Sequence, residues 1–91
     1  MNEERYSVKN GFVLREIAGE FIAVPVNDYG NSVGMLVLNQ VSAVIWDMLQ
    51  SERTLAELTD KISSEFDVSK AEAEADIVAF IDELRKLGLL V

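Results

Sequence analysis

The chain has 91 residues, 49% of them hydrophobic, with a net charge of −8 and neither cysteine nor histidine. That length supports one domain and that hydrophobicity excludes a disordered chain. The two missing residue types exclude disulfides, thiolate or imidazole metal sites, and Ser-His or Cys-His nucleophile systems.

Residues 1–9 read as a loosely ordered lead-in to a single domain spanning 1–91. The first seven are polar and mixed in charge with no apolar run behind them, so no secretion signal is expected. No window approaches the ~20 apolar residues of a membrane span. With the absence of cysteine, these features place the expected location in the cytoplasm.

Phe12-Val13-Leu14-Arg15-Glu16-Ile17 reads as a first strand, rich in bulky and β-branched residues. Ala18-Gly19 supplies the two-residue connection of a tight hairpin, and Glu20-Phe21-Ile22-Ala23-Val24-Pro25 is the returning strand. Pro25 ends it because proline cannot donate to a ladder. Residues 27–32 are a loop by composition, and 33–38 form a third strand. Simple up-down connection puts the second strand in the middle and leaves 33–38 on an edge.

Three helices follow. Leu38-Asn39 marks the change, with Asn39 placed to accept a bond from a first-turn N–H. Val41, Val44, Ile45, Met48 and Leu49 then recur at helical spacing over about 40–50. Trp46, the only tryptophan, lies toward the edge of that stripe. It reads as a core or boundary anchor, with an exposed interface role as the alternative. Thr54 caps the second helix with Glu57 in the box position, and Leu55, Leu58, Ile62 and Phe66 make its apolar stripe. Ser69 caps the third, with Glu72 at the box position, and Ala73, Ile77, Phe80, Ile81, Leu84 and Leu87 face a core. Arg85 and Lys86 suit the helix end, Gly88 suits the position after it, and Leu89-Leu90-Val91 tucks back against the body. The expected fold is α+β, a three-stranded antiparallel sheet followed by three helices, winged helix-turn-helix-like in outline.

No catalytic constellation accompanies these elements. Glu72 and Asp76 share a helical face, but nothing nucleophilic or electrophilic stands beside them, and a solvated face explains them. No glycine pattern matches a phosphate loop. Neither a metal nor another cofactor is expected, and the chain reads as a binding module, not an enzyme.

Several pieces, in order, resemble the PqqD family, the small domains also called RiPP recognition elements. They are Asn10-Gly11-Phe12-Val13-Leu14-Arg15, Leu38-Asn39 followed by Ala43-Val44-Ile45-Trp46, Thr54-Leu55-Ala56-Glu57-Leu58, Glu65-Phe66-Asp67-Val68, and the run from Ala75 to Leu90. The resemblance covers about residues 8–91. It implies the winged helix-turn-helix-like fold just described. It also implies binding of the leader of a ribosomally made precursor peptide and its presentation to a modifying enzyme, often a radical-SAM protein. The leader would lie as an added strand on the third strand, in a groove against the third helix. The loop 27–32 and the strand after it are longer and more apolar than in members serving quinone cofactor synthesis, so that cofactor itself is not implied.

The physics of an edge fits this route. An edge strand offers unpaired N–H and C=O groups that an extended peptide satisfies, and 33–38 carries no lysine or proline to blunt it. Met35, Leu36 and Val37 are the expected strand-side contacts. Ala75, Val78, Ala79, Asp82 and Arg85 are the expected helix-side contacts, Val78 because it lies off the core stripe and the alanines because they leave room. Two other readings are a winged-helix DNA-binding regulator and a self-associating subunit, a homodimer through the same edge. The first is opposed by charge, since residues 69–88 hold five acids and three bases.

Overall fold

The computed structural model describes residues 4–9, 11–25 and 36–91. Among them the order is β1 (Arg5–Tyr6), β2 (Phe12–Ile17), β3 (Glu20–Pro25), β4 (Leu36–Leu38), α1 (Gln40–Met48), β5 (Arg53–Thr54), α2 (Leu55–Phe66) and α3 (Lys70–Lys86). The expected loop 27–32 and the expected strand residues Val33, Gly34 and Met35 lie outside the described residues.

β2, β3 and β4 form an antiparallel sheet with β3 in the centre. Ala18 and Gly19 both have positive φ, 54° and 83°, as the mirror-image turn of a two-residue hairpin requires. Glycine meets this without strain. Ala18 carries the steric cost of a Cβ in the left-handed region. Alternation then sorts the side chains: Leu14, Ala23 and Leu36 stand in one row, and Arg15, Ile22 and Val37 in the next, on the opposite face. The first row packs on the helices. Ala23 is buried, and Leu14 and Leu36 pack against the core.

The helices begin where their caps dictate. Asn39 Oδ1 accepts from Ser42 N–H at 2.8 Å, and Ser42 Oγ accepts from Asn39 N–H at 3.3 Å, so both members of a box are made at α1. Thr54 and Glu57 make the expected box at α2. At α3 only the forward bond forms, from Glu72 N–H to Ser69 Oγ at 3.1 Å. α3 ends with Gly88 at φ 74°. Gly88 N–H donates to Arg85 C=O and Leu89 N–H to Leu84 C=O, the paired bonds of a Schellman end, with Leu84 and Leu89 both buried.

The core lies between the inner sheet face and the three helices. Ile45, Leu49, Leu58, Ile62, Ile77 and Leu84 are fully buried in it. Trp46 is 2% exposed, and its ring meets the Phe12 ring edge-on at 5.7 Å. It is a core anchor that ties β2 to α1.

Residues 4–9 do not behave as the loose lead-in expected for 1–9. β1 pairs with β5, Val8 is buried and bridges to Leu90, and Val8 N–H and Lys9 N–H donate to Leu49 C=O and Leu89 C=O. Val91 N–H donates to Ser7 C=O, so the C-terminal residues tuck back against this segment. Two-residue strands carry no period, so their pairing was invisible in the sequence.

Candidate functional site

β4 is paired on one side only. Its residues Leu36, Val37 and Leu38 face Ala23, Ile22 and Phe21 of β3, and among the described residues no strand pairs with its other edge. Leu38 is buried and Leu36 half-buried, while Val37 is 62% exposed on the outer face. No charged side chain stands on these three residues, so they lack the charge that discourages pairing at an edge.

At the end of β4 the chain turns through Asn39 into α1, and there a hollow of about 280 Å³ separates α1 from α3. Asn39, Val41, Ser42 and Ile45 line one side; Asp76, Ala79, Phe80 and Glu83 line the other. This is smaller than the ~300–1,000 Å³ of a drug-sized ligand pocket and suits side chains of an extended peptide. A larger hollow, about 470 Å³, opens on the opposite flank of α1, where Leu14 and Phe21 of the sheet meet Val44, Met48 and Phe66. It too reaches the end of β4, since Gln40 lines it and Phe21 is the partner of Leu38.

Of the expected contacts, Leu36 and Val37 are on the free-edge strand and Met35 lies outside the described residues. Ala79 lines the smaller hollow. Ala75, Val78, Asp82 and Arg85 are exposed on α3 and do not line it; Val78 is 49% exposed. Asp82 is held by Arg85 at 3.7 Å and by Lys86 at 3.8 Å, surface pairs of small energetic weight. Asp76, Phe80 and Glu83, which the sequence did not single out as contacts, also line that hollow. They lie on the flank of α3 next to the core stripe, and the signal was a half-buried phenylalanine bracketed by acids at i−4 and i+3.

A sequence model of one family, Coenzyme PQQ synthesis protein D (PqqD), matches residues 9–90. The chain belongs to the PqqD family. No curated protein sequence matches it. Two solved structures share the PqqD-like fold of this chain. One is a lasso peptide synthetase B1 complexed with the leader peptide, with a TM-score of 0.73, 21% identity, and coverage of 94% of this chain and 96% of that one. The other is TbiB1 in complex with the TbiA(beta) leader peptide, with a TM-score of 0.72, 23% identity, and coverage of 92% and 93%.

Among the described residues no helix is long and apolar enough to cross a membrane, and no group of three His, Cys, Asp or Glu side chains is placed to hold a metal ion.

Proposed function

We propose that this chain binds the leader segment of a ribosomally made precursor peptide and presents it to a modifying enzyme such as a radical-SAM protein. The observation that carries the reading is the bare edge of β4 with the small hollow at its end, in a chain of the PqqD family. Two fold neighbours, each in complex with a leader peptide, support it.

The leader adds to β4 as a strand, so backbone bonds supply register and pockets supply selectivity. Leu36 and Val37 are the strand-side contacts, with Met35 before them. On the helix side Ala79 is the contact that opens on the hollow, beside Phe80. Ala75, Val78, Asp82 and Arg85 touch a leader that rises over the exposed crest of α3. The chain acts in the cytoplasm as a binding partner, without catalytic groups or a cofactor of its own. Its charge disfavours duplex DNA, and measurable affinity for DNA at low salt would revive the regulator reading.

The test is a titration of isotope-labelled protein with leader peptides encoded beside its gene, followed by NMR. Shifts at 36–38 and 76–83 are expected, and shifts confined to 1–25 overturn the placement. Sedimentation at several concentrations separates a monomer from a dimer that closes the same edge on itself.

A further inference from the structure

We infer that the segment taken up beside β4 is cationic: a lysine or arginine of the guest peptide lays its stem in the hollow between α1 and α3, and its head meets Asp76 or Glu83. This rests on the peptide-binding reading above. Asp76 and Glu83 are seven residues apart, so they share a face of α3 within about 20° and stand about 10.5 Å apart along its axis. They therefore frame the hollow they line, while Val41, Ile45, Ala79 and Phe80 supply the apolar part of a lining that Asn39, Ser42 and the two carboxylates make largely polar. A long side chain with an apolar stem and a charged tip matches that arrangement.

The cations of α3 do not satisfy these two carboxylates. Arg85 and Lys86 pair with Asp82, which does not line the hollow. Asp76 and Glu83 make no ion pair among the described residues. About 10.5 Å apart along the helix, and with no third acid joining them among the described residues, the pair suits the head of a long organic side chain. The net charge of −8 steers such a peptide inward.

The test uses phage-displayed random 12-residue peptides selected on the whole protein, a library length of about a dozen residues being enough to cover a strand and its flank. Selected peptides are expected to carry Lys or Arg within two residues of an aliphatic or aromatic residue. Their affinity should fall about ten-fold in the double variant Asp76→Asn, Glu83→Gln, each carboxylate contributing roughly two- to five-fold. It should also fall as salt is raised. The variant Glu52→Gln, Glu74→Gln makes the same change in net charge away from the hollow, and should bind within about two-fold of the parent. Circular dichroism checks that both variants keep their helices. Peptides that Val37→Lys releases but that show no basic enrichment, or equal losses in the two double variants, overturn the charge inference and leave peptide binding standing. Failure to enrich any peptide released by Val37→Lys overturns both.

Discussion

The sheet has two edges, and they are built differently. β2 presents Arg15 and Glu16 on one, both exposed, and charged side chains of this kind discourage a passing strand from pairing. β4 presents Leu36, Val37 and Leu38 on the other, with no charge at all. Both edges leave backbone groups without a strand partner among the described residues. β2 is also pinned from behind, because Phe12 meets Trp46, whereas β4 runs directly into a helix cap and a hollow. The lesson is that exposure of backbone is common to both edges, while side-chain chemistry and what lies beside the strand distinguish a guarded edge from a receptive one.

The largest effect expected falls on the guarded side. Trp46→Ala removes the anchor of β2 and should cost about 3–5 kcal/mol of stability, read by denaturant unfolding. A stable Trp46→Ala protein would mean that β2 is not held as described. Next is Val37→Lys, which places a charge on the receptive edge. Leader affinity should drop about 30-fold, near 2 kcal/mol, with stability changed by no more than about 0.5 kcal/mol. Ile17→Lys, the matching change on β2, should leave affinity within two-fold of the parent. Equal losses from the two lysines, measured by calorimetry, would erase the distinction between the edges.

A smaller effect comes from the hairpin joining β2 to β3. Ala18→Asn suits the left-handed backbone better than alanine and should add up to about 1 kcal/mol to stability without altering leader binding. The smallest concerns α2, which contributes to neither edge. Glu57 accepts from the Thr54 backbone N–H, and this bond holds its carboxyl below the ordinary value of 4.5. The stabilisation is therefore complete above that value and is lost as pH falls through the lower, folded-state one. Glu57→Gln should flatten the stability-pH curve in that acid window and lower stability slightly near neutrality, where the carboxylate's contribution is complete.

Much of this was legible in the residues. The three sheet strands and three helices follow from alternation, helical spacing and the residues Asn39, Thr54 and Ser69, each of which accepts a first-turn N–H as its type predicts. β3 is central and β4 is an edge, as short connections require. The β1–β5 ribbon was not legible, since two residues contain no repeat and their partner is decided by where the helices bring the chain. The α3 lining of the hollow was only half legible. A helix with one core stripe has two flanks. Choosing Val78 and Ala75 selected the flank away from the hollow, and Ala79 fell on the boundary. Which flank turns toward α1 depends on how the helices cross, and no residue on α3 alone records that.

The cap at Asn39 has a consequence for length. Its backbone N–H is already committed to Ser42 Oγ, so a visiting strand zipped along β4 finds the Asn39 donor taken just beyond Leu38. It must leave the sheet there, which gives the pairing a fixed zero mark. Every downstream position on the visitor is then set at a constant tether length from that mark, the way a stop block sets the cut on a saw bench.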